Sequence, residues 1–437
     1  MTNSILDTAS RVLTEGPICD HCIGRLFANL STGLTNDQRG AAIKLALALE
    51  SDQKNKDSSH DTLLRLLAPS SIHARKSLKI KDVQKKCWVC NGLFDELDTW
   101  AEKVIKAVEG FEFNTFVVGT KPSGLLIENE EILWATSRTR WAEQLKTEMN
   151  REVGKRVEAL LDKKADMKLP EITAILDITQ GTVDLEVRSL FIFGRYRKII
   201  RGIPQTRWPC RECGGSGCER CGFTGRMYPE SVDELIRPEV MAATGATDTV
   251  FHGAGREDID ALMLGTGRPF IVEAVQPLRR RIDLTRLQHK VNRHADGKIE
   301  VLGLKFVTRS AVEAIKQAKA DKVYRLGVTF RTQLSEEKLI SALDILSKKT
   351  IIQRTPTRVA HRRADLDRER RIQHMELEQL SPDGQSALIK VGCQGGLYVK
   401  ELVSGDEGRT RPNLSELLGV ESKVAELDVI EVKGIFI

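Results

Sequence analysis

The chain has 437 residues, with 67 Lys and Arg against 61 Asp and Glu, which gives a net charge of +6. Its hydrophobic fraction of 41% and charged fraction of 29% are ordinary for a globular protein of two or three domains. No run approaches the roughly 20 apolar residues of a membrane span, and the N-terminus does not resemble a signal peptide. We therefore expect a cytoplasmic protein without a membrane partner, whose mild positive charge allows an anionic partner without requiring one.

The first part of the chain combines helical patterns with a central strand pattern. Its first 25 residues contain Cys19 and Cys22 within a short helical pattern, and Cys87 and Cys90 follow later. In chain order we predict a helix over 36–50 with Asn36 as its N-cap, a polar loop over 51–61, a helix over 97–110, strands over 112–119 and 125–134, and a long charged helix over 138–163.

The character of the sequence changes near Pro170, and we place a domain boundary between 1–168 and 169–437. In the second part we predict strands over 171–178, 182–199, 269–275, 299–307, 322–330, 386–392 and 424–436, and helices over 231–243, 310–320 and 335–347. Strands that alternate with helices in this way indicate a large mixed α/β domain.

Eight of the nine cysteines form four C-x-x-C pairs, a pattern that favours metal binding in a cytosolic protein. Two of these pairs lie four residues apart in CRECGGSGCERC, where each places two thiolates so that one Zn²⁺ can be shared. We therefore predict a closed structural zinc site, with contact to RNA as a secondary possibility, in an insert over 210–221. Its ligands are Cys210, Cys213, Cys218 and Cys221.

The other two pairs are far apart in sequence, and each is half of a metal site that needs a partner. We predict that Cys19, Cys22, Cys87 and Cys90 form a second structural Zn²⁺ site. The alternative is two unrelated redox or free cysteine pairs. Cys393 is left over, lies in a strand pattern, and is predicted to be a small buried apolar side chain.

A loop rich in charge and glycine, FHGAGREDIDALMLGTGRPF, spans residues 251–270 and runs into an apolar strand. A carboxylate beside arginines stays ionised and can act as a nucleophile or a base. Arg256 and Arg268 are predicted to hold phosphate, because a guanidinium pairs well with phosphate oxygens.

Two further basic segments are candidates for contact with RNA. Residues 354–371 contain seven arginines and three acids, so 7 − 3 gives +4. We predict that residues 354–363 face RNA and that the rest is a solvated helix with internal ion pairs. A second basic stripe interleaves aromatic residues and contains Arg195, Tyr196, Arg197, Lys198, Arg201 and Trp208.

These segments carry a specific resemblance to a known family. GAGREDIDALMLGTGRPF resembles the catalytic loop of pseudouridine synthases, and its G-R-E-D-x-D-x-x-x-L-G-x-G-R-P-F form is similar to that of the archaeal and eukaryotic Pus-ten type. The resemblance continues in GRYRKIIRGIPQTRW, ESVDELI, KVYRLGV, QRTPTRVAHRRAD, GGLYVKELVSGDEGRTRPNLSELLG, NREVGKRV and the N-terminal cysteine pairs. It covers nearly the whole chain.

The resemblance implies an α+β protein, with a mixed or antiparallel sheet in the pseudouridine synthase domain and an N-terminal zinc-containing, THUMP-like α/β domain that binds RNA. It also implies isomerisation of uridines 54 and 55 in the T-loop of tRNA, without an organic cofactor and by a monomer.

Residue by residue, the resemblance places the catalytic aspartate at Asp258, although spacing does not exclude Asp260, because side chains two apart on a strand face the same side. It places the base-stacking aromatic at Tyr324, the cation beside the aspartate at Lys400, and apolar packing at Val399 and Leu427. The aspartate would attack the ribose or remove a proton from it.

Two other classes of function compete with this one. A zinc-stabilised RNA-binding module without catalysis is suggested by the cysteine pairs alone. A methyltransferase or thiolase with a THUMP domain would need a site for a methyl donor or ATP, and we find no glycine-rich strand–loop–helix that serves.

Overall fold

The computed structural model describes residues 4–53, 59–81, 85–318 and 320–434, except for the side chains of residues 59–61 and 362. The chain divides into two compact units, 1–188 and 189–437. Among the described residues, no helix has both the length and the apolar character needed to cross a bilayer.

The first unit contains helices α1 Ile5–Leu13, α2 Asp20–Gly24, α3 Asn36–Gln53, α4 Ser59–Leu67, α5 Ile72–Leu78, α6 Leu97–Ala107, α7 Gly124–Ser137 and α8 Leu145–Leu161. Its strands are β1 Thr115–Lys121, β2 Lys164–Ala165, β3 Ile172–Asp177 and β4 Thr182–Val187, in the order β2-β1-β3-β4. β1 is parallel to β2 and β3, and β3 and β4 form an antiparallel hairpin. The predicted boundary at residue 168 falls before β3 and β4, which belong to this first sheet.

Two glycines bring α2 and α3 into close contact. A Cβ at Gly24 would lie 1.8 Å from the carbonyl oxygen of Asn36, and one at Gly40 would lie 2.0 Å from that of Asp20. Only glycine allows this approach. Asn36 itself is the first residue of α3 rather than its predicted N-cap, because its side chain is engaged by Arg39 and Glu143.

The strand predicted over 125–134 is wrong, since this segment belongs to helix α7. Ser123 caps that helix by accepting a hydrogen bond from the backbone N–H of Leu126. Leu126 and Leu133 are buried and lie seven residues apart, which places them on one face of a helix. The predicted loop over 51–61 is helical at 51–53 and from 59, and residues 54–58 lie outside the described part of the chain.

The second unit contains helices α9 Val232–Thr244, α10 Leu284–His294, α11 Ser310–Gln317, α12 Glu336–Lys348, α13 Val399–Ser404 and α14 Leu414–Leu418. Its strands are β5 Leu190–Lys198, β6 Asp248–Gly253, β7 Leu262–Val275, β8 Ile299–Val307, β9 Lys322–Phe330, β10 Thr350–Arg354, β11 Asp367–Leu380, β12 Ser386–Cys393, β13 Thr410–Arg411 and β14 Ser422–Val432.

These strands form one mixed sheet in the order β13-β10-β11-β12-β9-β14-β7-β5-β8, and β6 pairs with β7. Only the β14–β7 pair is parallel within this described sheet. The solvated helix predicted for the end of the 354–371 segment is wrong, because that stretch enters β11. There residues 367–371 pair with β10 and residues 372–380 pair with β12, and the charged side chains of β11 are exposed or partly buried.

Two apolar clusters in this unit meet at Tyr324. One packs α12, α13 and α14 against β9 and β12, and the other packs α9 and α10 against β5, β7 and β8. The ring of Tyr324 contacts both clusters. A third, smaller cluster contains Phe191, Phe193 and residues of α11, and lies on the other face of the sheet, because side chains alternate along β5. Tyr324 therefore lies in a gap between two halves of one face of the sheet, each of which is covered by helices.

Candidate active site

The loop that carries Asp258 joins β6 to β7 over residues 254–261. Gly255 within it has a φ of 77°, in the left-handed region that favours glycine. A Cβ at this position would also lie 3.3 Å from Nη1 of Arg268. The loop can follow this path against Arg268 because residue 255 has no side chain.

Two cations from distant parts of the chain hold the carboxylate of Asp258. Lys400, on α13, places Nζ 3.3 Å from Oδ2. Arg358, in the 3-10 turn Thr357–Arg362, places Nη1 3.3 Å from Oδ1. Each carboxylate oxygen therefore faces its own positive charge, an arrangement that suits an ionised carboxylate.

Asp260 shares only one of these cations, since Lys400 Nζ lies 2.9 Å from its Oδ2. Its side chain is 63% exposed, compared with 29% for Asp258. Burial raises the pKa of the Asp260 carboxyl, but the hydrogen bond and the positive charge of Lys400, together with smaller contributions, hold that pKa below its usual range. Asp258 is therefore the aspartate that is better enclosed and more fully paired.

Arg358 is itself fixed by a second acid. Its Nε lies 2.6 Å from Oε1 of Glu401, whose side chain is 6% exposed, and its guanidinium lies over the ring of Tyr398 at 5.7 Å. Burial alone would lower the pKa of Arg358, but the hydrogen bond to Glu401 raises it. Because Lys400 and Glu401 are neighbours, the start of α13 positions both the direct and the indirect partner of Asp258.

A cavity of about 800 Å³ opens beside Asp258 and is large enough for a nucleotide. Tyr324 of β9, Val399 of α13 and Leu427 of β14 supply aromatic and apolar surface to it. Burial raises the pKa of the Tyr324 hydroxyl well above its usual range, so its ring stays neutral. The cavity thus combines an ionic end at Asp258 with a flat apolar wall.

Beneath the loop, a buried polar network anchors Glu257. Arg268 Nε lies 2.7 Å from a Glu257 oxygen, and both side chains are 1% exposed. The hydroxyl of Tyr196 donates to Glu257 at 2.8 Å, and Gln205 donates to both Tyr196 and the carbonyl of Gly255. A buried charge pair, together with the hydrogen bond from Tyr196, fixes the residue that precedes Asp258.

Two members of the basic stripe that was predicted to contact RNA hold this loop. Lys198 is buried, and its Nζ donates to the carbonyls of Ile203, Asp258 and Ile259. Arg201 donates to the carbonyl of Asp260 and pairs with Asp428 at 2.6 Å. Lys198 is therefore not available to bind phosphate.

The predicted site residues mostly converge. Those that border the cavity are Asp258, Tyr324, Lys400, Val399, Leu427, Arg256 and Arg268. Arg195 does not border it and donates to the carbonyls of Thr266 and Gly267. The predicted phosphate contact of Arg268 conflicts with its burial against Glu257, whereas Arg256 is exposed. Cys393 is buried in β12 as predicted.

Sequence reasoning did not identify Arg358 as a partner of Asp258. The sequence showed only that Arg358 lies in the basic segment 354–363. That segment was predicted to contact RNA, and nothing in it indicated which acid Arg358 would pair with. The pair spans 100 positions of the sequence, so only the fold could reveal it.

The cysteines of the second unit are arranged as a metal site would require. The sulfurs of Cys210, Cys213, Cys218 and Cys221 all lie within 4.8 Å of one another. Their measured contacts are 3.8 to 3.9 Å, close to the edge of about 3.8 Å expected for a tetrahedron with Zn–S bonds of about 2.3 Å. The backbone N–H of Cys218 lowers the pKa of the Cys221 thiol to about 6, which favours a thiolate.

The first unit brings its two distant cysteine pairs together. Cys19, Cys22, Cys87 and Cys90 also have sulfurs within 4.8 Å, and the Cys19–Cys90 contact is 3.6 Å. The guanidinium of Arg25 is fully buried and donates to the sulfur of Cys22 at 2.8 Å, where it offsets thiolate charge. Both sets therefore fit a metal ion, and the predicted pairing of these distant cysteines is confirmed in space.

Comparison with known proteins defines the class. The family model described as Pus10, C-terminal, matches residues 191–433, and the one described as Pus10 THUMP domain, archaeal, matches residues 100–177. The expected α+β fold with a THUMP domain is confirmed. A chain of the Cbf5–Nop10–Gar1 complex is similar over 46% of this chain and 45% of its own, with 18% identity and a TM-score of 0.29, a likeness too distant to assign a function.

Relatives match over the full length. The tRNA pseudouridine synthase Pus10 of Methanothrix thermoacetophila is 51% identical, with 100% of this chain and 96% of the relative covered. Its counterparts are 43% identical in Halorubrum lacusprofundi (98% and 96% covered) and 42% identical in Methanopyrus kandleri (98% and 98% covered). The chain belongs to the Pus10 family of tRNA pseudouridine synthases and is an isomerase.

Proposed function

We propose that this enzyme isomerises uridines 54 and 55 in the T-loop of tRNA to pseudouridine, with Asp258 as the catalytic residue. The observation that carries the proposal is the carboxylate of Asp258, held between Lys400 and Arg358 at the edge of a nucleotide-sized cavity. The two T-loop positions come from the family resemblance. The same resemblance leads us to expect a monomeric, cytoplasmic enzyme without an organic cofactor.

The substrate must enter this cavity as an unstacked nucleotide. A uridine in a folded RNA loop has to leave its stack before its glycosidic bond can be reached. Tyr324 offers a ring on which the uracil can stack, and Val399 and Leu427 exclude water around it. Arg256, which is exposed at the cavity edge, is placed to hold a phosphate of the same strand.

The reaction then changes only the bond between base and ribose. The N1–C1′ bond breaks, the uracil turns, and a C5–C1′ bond forms while C5 loses its hydrogen and N1 gains one. Asp258 acts as an ionised carboxylate, by attacking C1′ or by removing a proton from the ribose. Lys400 and Arg358 each face one oxygen of this carboxylate and keep it aligned until the base has moved.

We further propose that both cysteine sets hold Zn²⁺ as structural ions. Four thiolates complete a tetrahedron and leave no open position for a substrate, so zinc supplies stability rather than reaction chemistry. The residues that would hold it are Cys19, Cys22, Cys87 and Cys90 in the first unit and Cys210, Cys213, Cys218 and Cys221 in the second.

The test uses the purified enzyme and unmodified tRNA transcripts, with pseudouridine mapped by carbodiimide treatment and primer extension. Four transcripts carry uridine at both positions, at 54 only, at 55 only, or at neither. We expect pseudouridine wherever one of the two uridines is kept. Tight tRNA binding without any product would favour a non-catalytic, zinc-stabilised RNA-binding module, and product elsewhere in the tRNA would move the target site.

A further inference from the structure

Lys322 borders the same cavity as Asp258 but belongs to none of the contacts described above. It lies on β9 two residues before Tyr324, and alternate side chains of a strand face the same side. Both side chains line the cavity, with Cα atoms about 7 Å apart for a two-residue step. A lysine at 322 is therefore placed beside the base that stacks on Tyr324.

Unlike Lys400, Arg358 and Arg268 at this cavity, Lys322 has no counter-ion among the described residues. Lys400 and Arg358 bind Asp258, and Arg268 binds Glu257, whereas the side chain of Lys322 forms no hydrogen bond or ion pair with any residue that the structure describes. Its side chain is half-buried. An unpaired cation in such a place is unfavourable unless an anion arrives there.

The groups around Lys322 do not supply that anion. Arg268 of β7 is positive, and Cys393 of β12, directly opposite on the neighbouring strand, stays a neutral thiol because burial raises its pKa to about 12. Asp321 precedes it in sequence but hydrogen-bonds Gln373 and the backbone of Gly395. Burial lowers the pKa of the Lys322 ammonium to about 8, and the positive charge of Arg268 acts in the same direction.

The reaction itself creates an anion at this position. When the N1–C1′ bond breaks, its electron pair stays with the uracil, and the negative charge spreads over N1, O2 and O4. The charge disappears when C5 bonds to C1′. The C5 hydrogen then leaves as a proton while N1 takes up a proton, so the uracil remains neutral. We propose that Lys322 is a catalytic residue that stabilises the detached, negatively charged uracil, and this proposal rests on the proposed isomerisation. Its ammonium donates a hydrogen bond to a uracil oxygen and keeps its proton throughout.

The test compares Lys322→Met, which keeps length without charge, and Lys322→Arg, which keeps charge, with wild type in single-turnover pseudouridine formation. Removing one preorganised donor to a developing charge slows a reaction by about 10²-fold or more. We expect such a loss for Lys322→Met with an unchanged Kd for tRNA, and a much smaller loss for Lys322→Arg. Lys316→Met, exposed on α11 at the other face of the sheet, is the matched control.

The pH profile separates catalysis from a merely structural role. The proposal requires the charged form of the Lys322 ammonium, so the wild-type rate constant should fall as pH rises through about 8. Lys322→Arg should keep its rate in that range, because a guanidinium stays protonated. Titration of other cavity groups is common to both proteins. A Lys322→Met rate equal to wild type, equal losses in both variants, or weakened tRNA binding in place of a slower reaction would each overturn the proposal. A wild type without product would overturn the proposed function and this inference together.

Discussion

The guanidinium of Arg358 lies 3.3 Å from the carboxylate of Asp258, across 100 positions of the sequence. Three segments meet at this contact: the loop before β7, the 3-10 turn Thr357–Arg362 and the start of α13. The same arginine reaches Glu401, so the orientation of the Asp258 carboxylate depends on an acid that does not touch it. The site is therefore assembled by the sheet rather than by any one motif.

Arg358→Gln should slow isomerisation strongly. Asp258 would keep Lys400 but lose the cation on its other oxygen, and removing one such partner costs about 10²-fold in rate. Glu401 would also be left without its partner while 6% exposed. Single-turnover rates at saturating tRNA measure the effect, with Glu401→Gln as a milder companion that loosens Arg358 without removing it. Wild-type rates in Arg358→Gln would show that Lys400 alone is sufficient.

Arg268→Met should destabilise the second unit. It leaves the carboxylate of Glu257 uncompensated where both side chains are 1% exposed, and breaking a buried pair in this way costs about 3–5 kcal/mol. Urea unfolding followed by tryptophan fluorescence provides the measurement. Arg256→Met, on the exposed part of the same loop, is the control and should leave the free energy of unfolding nearly unchanged. Equal stability of the two variants would contradict a structural role for the Glu257–Arg268 pair.

Much of the second unit's secondary structure followed from alternation and turn residues. Strands β8, β9 and β12 and helices α9 and α12 lie close to their predicted ranges, because each has one buried face. The exceptions have physical causes. The first five residues of β11, 367–371, are all charged, so their sequence also satisfies the spacing of helical ion pairs, and only their pairing with β10 selects the extended form.

The residues of the candidate site also fall into two groups, those that the sequence identified correctly and those that it did not. Asp258 was identified because it lies in a short motif that resembles a known catalytic loop. The cysteine sets were identified because the C-x-x-C spacing is itself typical of metal binding. Arg268 was predicted to hold phosphate and Lys198 to belong to a stripe that contacts RNA, because sequence alone does not show whether a basic side chain points outward or inward. In the structure Arg268 is buried against Glu257, and Lys198 is buried against backbone carbonyls, so both side chains point inward. This burial is a property of the fold and cannot be read from the sequence.

Asp233→Asn should stabilise the enzyme at pH 7. Burial raises the pKa of the Asp233 carboxyl to about 6, above the 3.8 of an unhindered group, and its Oδ1 has no hydrogen-bond partner among the residues that the structure describes. Because the pKa is raised in the folded state, ionisation of Asp233 is less favourable in the native protein than in the unfolded chain. This ionisation lowers the free energy of unfolding. The loss is absent below pH 3.8, grows between pH 3.8 and about 6, and is complete above that. At pH 7 it amounts to about 2–3 kcal/mol.

Urea unfolding of wild type and Asp233→Asn at several pH values measures this effect. The difference in free energy of unfolding should be positive at pH 7 and shrink toward zero near pH 4. Asp344→Asn, which removes an exposed acid that pairs with Lys348 on α12, serves as the control. A difference that does not change with pH would contradict the assigned pKa.

Metal analysis should distinguish the two cysteine sets. Elemental analysis of the purified wild type is expected to give two zinc ions per chain, one for each set. Cys22→Ser and Cys213→Ser should each retain one, because a set of three thiolates binds Zn²⁺ less tightly. Cys393→Ser, the cysteine outside both sets, is the control and should keep both. A wild type without bound metal would contradict the zinc assignment.

The central claim is that Asp258, and not Asp260, performs the isomerisation. The most direct measurement is single-turnover pseudouridine formation in unmodified tRNA transcript by wild type, Asp258→Asn and Asp260→Asn, with tRNA binding measured in parallel. We expect Asp258→Asn to bind tRNA and form no pseudouridine, while Asp260→Asn stays active, since its aspartate is 63% exposed and shares only Lys400. Product from Asp258→Asn, or loss of activity in Asp260→Asn alone, would contradict the account.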